Sequence, residues 1–102
     1  MNTQVTWLAA VVLNLAAPIA LARDIAADEM LRLKEAGVIL PFEKLDTLAL
    51  GAHPGARITS TELEREYGKY MYQVELRDSQ GIEWDLELDA VTGQIYKNHQ
   101  DN

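Results

Sequence analysis

Four acidic residues alternate with apolar ones near the C-terminal end of the chain: Glu83, Asp85, Glu87 and Asp89. Because successive side chains of a β-strand point to opposite faces of the sheet, this spacing predicts that all four carboxylates share one face. Such an array can bind a basic protein surface or a cation, or simply face solvent. Calcium is the least favoured of these, since a flat strand lacks the backbone carbonyls that usually complete a calcium site.

The residues from Asp78 to Gly81 predict a tight hairpin loop in front of this strand. An Asp in first place and a Gly in fourth are typical of a type I turn closed by a glycine bulge. Such a loop pairs Asp78 with Ile82. Arg77 then lies opposite Glu83, which is a favourable cross-strand pair.

The same register also brings like charges together. Glu75 lies opposite Asp85, and Gln73 lies opposite Glu87. Carboxylates directly opposite each other destabilise a sheet by up to about 1 kcal/mol, and less when salt screens them. A bound cation, a basic partner, or only Arg77 and water can offset this repulsion. The candidate partner-binding face therefore comprises Glu75, Arg77, Glu83, Asp85, Glu87 and Asp89.

The remaining residues do not predict catalysis. The chain has no cysteine, and its two histidines, His53 and His99, lack the spacing of a zinc site. His53 follows a predicted helix, where the helix dipole favours histidine as a structural cap. Neither Ser60 nor Ser79 lies in a nucleophile-elbow sequence, and there is no glycine-rich phosphate loop. We therefore expect a protein that is not an enzyme and that needs no cofactor or metal.

The charge balance restricts the partners. Sixteen acidic and nine basic residues give a formal net charge of −7. Nucleic acids and anionic membrane surfaces select for Lys and Arg, so an acidic domain is poorly suited to either. We expect a protein partner whose surface is neutral or basic.

The N-terminal segment predicts export. Residues 5–22 carry no charged side chain, and Ala20 and Ala22 fit an A-x-A cleavage site before Arg23. A signal peptide of residues 1–22 directs the protein to the periplasm or out of the cell, with no membrane contact after cleavage. The alternative is an uncleaved anchor, for which this run is at the short end of what spans a bilayer.

Two helices are predicted before the strands. Residues 23–36 are predicted to form a short helix with Asp28 and Glu29 in its first turn and Arg32 and Lys34 in its last, as the helix dipole favours. Residues 23–38 are thus expected to form a short helical extension. A second helix begins at Pro41 and ends before Pro54. Its apolar positions follow helical spacing: Leu45, Leu48, Ala49 and Ala52.

The rest of the chain predicts β-strands. In the first of them, residues 57–66, the apolar residues Ile58 and Leu63 have opposite parity, which indicates a bulge between them. The later strands alternate cleanly and direct apolar residues inward: Tyr70, Tyr72, Val74, Leu76, Ile82, Trp84, Leu86 and Leu88.

Helices followed by a meander predict an α+β fold: an antiparallel three- to four-stranded sheet packed on one main helix, with a short preceding helix. We expect Trp84, Leu45 and Leu48 at the centre of the core. Tyr96 is not assigned to the inward face and is a candidate for a contact surface.

The stretch from about Ile39 to Lys97 resembles the PepSY domain. The block from Asp89 to Gly93 is most similar, because members of that family typically end a strand in an Asp-Ala-x-Thr-Gly turn. The other segments that carry the resemblance are the helix with Leu45, Leu48 and Ala49, then Pro54-Gly55, Tyr72 to Leu76, Asp78 to Gly81, and Trp84 to Leu88. Residues 39–102 are thus expected to form a PepSY-like domain.

The resemblance implies a non-enzymatic extracytoplasmic domain, since relatives occur in propeptides of secreted metalloproteases and in envelope proteins linked to peptidase control. We expect an exported binding module that inhibits an envelope or secreted protease, with its acidic sheet face or an edge strand covering the substrate cleft. One alternative is an accessory or sensor protein that contacts the ectodomain of a signalling receptor. Another is a cation-responsive domain, whose stability would depend on calcium.

Overall fold

The computed structural model describes residues 22–101. Within that range the chain forms two helices and five strands, whose bounds are as follows. The elements are β1 (Ala22–Asp24), α1 (Ala27–Glu35), α2 (Phe42–Ala52), β2 (Arg57–Glu66), β3 (Lys69–Arg77), β4 (Glu83–Asp89) and β5 (Ile95–Asp101). No helix among these residues is long and apolar enough to cross a membrane. The predicted signal peptide lies outside the described residues apart from Ala22, and it stays a prediction.

The strands form one antiparallel sheet in the order β1-β2-β3-β4-β5. The α+β class is thus confirmed, with a fifth strand beyond the three to four expected. The predicted register of β3 and β4 is also confirmed, because Arg77 pairs with Glu83 and Glu75 pairs with Asp85. In β2 the register shifts between Ile58 and Ser60, as the opposite parity of its apolar residues indicated.

The start of the first helix differs from the prediction. Residues 22–24 form β1 instead of a helical turn and pair with the end of β2. Ile25 follows the strand and is buried in the core, and its N–H donates to the carbonyl of Leu63 at 3.0 Å. The helix begins only at Ala27, so that Asp28 and Glu29 occupy its first turn, where acidic residues favour a helix.

Helix α2 covers the inner face of the sheet through Leu45 and Ala49, which are completely buried. Leu48 was predicted to join them, but it is 38% exposed because it lies at the margin of the packed stripe. Trp84 is only half-buried, and its ring packs against that of His53, the residue that follows α2. The centre of the core is instead aliphatic, and its largest fully buried side chains are Leu45, Val74, Leu76, Leu86 and Leu88.

Candidate functional site

The outer face of the sheet, opposite α2, holds most of the protein's net charge. By the strand register, four basic residues lie there: Arg57, Lys69, Arg77 and Lys97. Ten acidic residues share it: Asp24, Glu62, Glu64, Glu66, Glu75, Glu83, Asp85, Glu87, Asp89 and Asp101. Ten acids against four bases account for −6 of the net charge of −7. We call this surface the acidic face.

The middle of the acidic face concentrates carboxylates without a compensating Lys or Arg. Glu75 and Asp85 are directly opposite on β3 and β4, as predicted. Asp101 of β5 joins them, and carboxylate oxygens of the three residues lie within 4.8 Å of one another. Among the described residues no ion pair reaches this trio. The arrangement favours a positively charged group above this part of the sheet.

The hairpin end of the acidic face is internally neutralised. Arg77 forms an ion pair with Glu83, the cross-strand partner that the sequence predicted. The same guanidinium donates to the carbonyl of Gly81 at 3.1 Å, which ties it to the loop. Both charged side chains remain substantially exposed, so this pair contributes little to stability. Because this pair is neutral, the net negative charge of the acidic face lies on the parts of the strands away from the hairpin.

A second carboxylate cluster lies on the other side of β3. Asp24, Glu62 and Glu64 place their carboxylate oxygens within 4.8 Å of one another. Gln73 connects this cluster to β4, because its amide donates to Glu64 at 2.8 Å and to Glu87 at 3.3 Å. Partial burial, together with the charges of Glu62 and Asp24, raises the pKa of Glu64 from 4.5 to about 7.

This pKa predicts a pH dependence of stability. The pKa of Glu64 is higher in the folded than in the unfolded protein, so the folded state binds more protons between about pH 4.5 and 7. The free energy of unfolding therefore falls as the pH rises through that window. Glu64→Gln removes the titrating group and should gain stability relative to the wild type as the pH rises. Urea unfolding at a series of pH values measures this difference.

The matched control for this pH series is Glu35→Gln, which changes an exposed carboxylate at the end of α1 and leaves the cluster intact. It should follow the wild type across the window. A constant difference between wild type and Glu64→Gln from pH 4.5 to 7 contradicts the assignment.

Asp89 was predicted to be part of the partner-binding face, but its side chain is only 8% exposed. Its Oδ1 accepts hydrogen bonds from the backbone N–H groups of Val91 at 2.8 Å and Thr92 at 3.2 Å. The carboxylate therefore closes the turn between β4 and β5 and is not available to a partner. Met71 of β3, which pairs with Asp89 on the same face, is also buried, at 5% exposure. The other five predicted residues lie together on the face.

The histidines do not form a common site. His53 follows α2, where its ring packs 4.3 Å from that of Trp84 and its Nε2 lies 2.8 Å from Oδ1 of Asn98. His99 lies on the acidic face, opposite Asp85. Among the described residues the groups that could hold a metal ion contain only carboxylates.

Sequence reasoning missed one interaction close to His53. Trp84 donates from Nε1 to Asp78 at 3.0 Å, and the N–H of Ile82 donates to the same carboxylate at 2.9 Å. These hydrogen bonds hold the pKa of Asp78 below its ordinary value. The sequence did contain a signal for this interaction, because an Asp begins the glycine-bulge loop and a Trp follows six residues later.

Fold and surface together define a small α+β domain whose sheet has one face packed against helices and one acidic face. The family model of the peptidase propeptide and YPEB domain, PepSY, matches residues 39–98. The chain belongs to this family. PepSY domains are generally non-catalytic propeptide or binding modules, which agrees with what the resemblance implied.

A curated relative is the uncharacterized protein YkoJ of Bacillus subtilis (strain 168). It is 30% identical over 77 residues, which cover 76% of this chain and 45% of the relative. The chain thus spans less than half the length of that protein. No solved structure matches the chain significantly.

Proposed function

We propose that this protein is an exported PepSY-type binding module whose acidic face binds the basic rim of the substrate cleft of an envelope or secreted protease and inhibits it by occlusion. The observation that carries the proposal is the distribution of charge. Nearly all of the net charge lies on one face of the sheet, while the other face is packed against the helices. The family description, which names peptidase propeptides, supports a protease as the partner.

The geometry suits recognition of a folded protein surface. The carboxylates of Glu75, Asp85 and Glu87 are on strands whose register is fixed by hairpins, so their positions are set before binding. A complementary basic surface would relieve the repulsion within the Glu75, Asp85 and Asp101 trio. Charge complementarity of this kind speeds association and selects the partner, and it weakens as salt is added.

Capture from an envelope extract tests the proposal. The wild type is expected to enrich a protease and to reduce its activity. The triple variant Glu75→Gln, Asp85→Asn and Glu87→Gln should lose most of both effects, because it removes three charges from the face and leaves the core intact. A variant that removes three charges from the helices serves as the control: Asp28→Asn, Glu35→Gln and Glu43→Gln.

The control variant has the same net charge as the triple variant, so it separates the effect of the face from that of total charge. It should capture the protease as well as the wild type does. Equal capture by all three proteins would show that the acidic face is solvated surface only.

Two alternatives involve the same face. If the captured partner is the ectodomain of a signalling receptor, the module is an accessory or sensor protein instead of an inhibitor. The two carboxylate clusters are the observation that bears on a cation-responsive domain. That alternative would be distinguished by a rise in melting temperature with calcium. The rise should be smaller in the triple variant, which removes two carboxylates of one cluster and leaves Asp24, Glu62 and Glu64 in place.

A further inference from the structure

The edge strand β2 is only partly covered. β1 pairs with Glu64 to Glu66 alone, and the N–H of Ile25 adds one bond to the carbonyl of Leu63. After Ile25 the chain turns away into α1. The first part of β2, residues 57–62, therefore pairs with β3 on one side and, in the part of the chain that the structure describes, with nothing on the other.

The backbone of this open edge can accept another strand. The carbonyl of Leu63 points toward β1, as its bond to Ile25 shows. Backbone groups of alternate residues point to the same side of a strand, so Thr61 directs its N–H and C=O to the open edge. The side chain of Thr61 is exposed, although it lies on the face that α2 covers elsewhere.

An apolar groove of about 310 Å³ follows the open edge. Leu63 and Tyr72 are buried at its base, and Met30 of α1 and Phe42 of α2 contribute partly buried walls. The rings of Phe42 and Tyr72 are stacked with 5.1 Å between centroids, which fixes one wall.

Acidic side chains border the same groove. Asp24 and Glu62 are among its lining residues, and both are exposed. Together with Glu64 they form the carboxylate cluster described above. A strand added beside Thr61 would direct alternate side chains into the apolar groove and, on the other face, toward this cluster.

We infer that the open edge of β2 binds an extended segment of a protein partner as an added strand, with apolar side chains in the groove and basic side chains beside Asp24, Glu62 and Glu64. Backbone hydrogen bonds supply affinity in this mode, and the alternate side chains supply selectivity. The site is distinct from the trio of Glu75, Asp85 and Asp101 and goes beyond the proposed occlusion by the acidic face.

One other occupant, a second copy of the chain, fits the groove less well. A second copy that paired through the same edge would bring its own Glu62 and Glu64 against those of the first copy, which is repulsive.

Titration of the isotopically labelled protein with synthetic peptides, followed by NMR, tests this inference. A peptide of alternating valine and lysine should shift the amide signals of residues 57–63 and of Ile25. A peptide of alternating valine and glutamate should bind at least about tenfold more weakly, and so should the lysine peptide methylated at alternate backbone nitrogens. Shifts confined to β5, the other edge of the sheet, would overturn the inference, as would equal binding of the methylated peptide.

Variants locate the contact. Glu62→Lys changes an exposed residue and should weaken binding of the valine–lysine peptide by about tenfold, whereas Glu35→Lys, an equal charge reversal on α1, should not. Thr61→Pro removes an N–H that faces the open edge and should have a similar effect. If Glu62→Lys and Glu35→Lys bind the peptide equally well, the inference is wrong.

The acidic-face variant Glu75→Gln, Asp85→Asn and Glu87→Gln distinguishes the two proposals. It is expected to lose protease capture and to bind the valine–lysine peptide within a few-fold of the wild type. Loss of both activities in this variant would place the peptide on the central face and overturn the edge site. Peptide binding without protease capture by the wild type would leave the edge site standing and remove the proposed function.

Discussion

Replacing Leu45 by alanine is expected to lower the free energy of unfolding by about 3 kcal/mol. Leu45 is completely buried between α2 and the sheet, and its loss leaves a cavity in the aliphatic core. A domain of this size has a total stability of only several kcal/mol, so much of it would be lost. Urea unfolding followed by circular dichroism measures the change.

Leu48→Ala is the matched control, because it makes the same substitution in the same helix less than one turn away. Leu48 is 38% exposed, so its replacement should cost less than about 1 kcal/mol. Equal losses from the two variants would contradict the packing described for α2. They would instead support the sequence prediction that Leu45 and Leu48 share the centre of the core.

The parts of the fold that sequence predicted correctly depend on local signals. The register of β3 and β4 follows from one loop, because an Asp at its start and a Gly in αL conformation at its end fix its length. Once that register is set, the opposed carboxylates of Glu75 and Asp85 follow from alternation. The sequence therefore predicted correctly which residues lie at the centre of the acidic face.

The parts that sequence missed depend on contacts between distant residues. β1 has only three residues and no strand signal of its own, and it exists because the end of β2 offers an unpaired edge. The groove beside it needs α1, α2 and β2 together, so no single segment indicated it. The role of Asp89, by contrast, could have been predicted locally. The turn sequence that follows it indicates that its carboxylate accepts hydrogen bonds from the turn.

The acidic face and the open edge of β2 are joined by Gln73. Its amide links Glu64, beside the groove, to Glu87 on the central strand of the face. A basic strand at the edge would place a positive charge beside the carboxylate of Glu64. It would also add a strand to the sheet. One partner could therefore engage both surfaces, with a basic strand at the edge and a basic rim over the centre, while the peptide and capture assays report on each separately.

Gly93→Ala is expected to destabilise the protein by about 2 kcal/mol, from two separate causes. Gly93 has a φ of +84° in the turn after Asp89, a conformation that costs an L-residue about 1 kcal/mol. A Cβ there would also lie 2.7 Å from Cδ1 of Leu48 and 3.3 Å from Cδ1 of Leu40. Those side chains must move to less favourable rotamers, which costs about 1 kcal/mol more.

Gly37→Ala separates these two causes. Gly37 follows α1 with a φ of +72°, but a Cβ at this position meets no other atom within 4 Å. Its replacement should therefore cost only the backbone strain, about 1 kcal/mol. The double variant Gly93→Ala with Leu48→Ala should recover most of the steric part of the loss, because it removes the nearer of the two atoms that the new methyl group would meet. If the double variant loses the sum of the two single effects, Leu48 does not restrict position 93.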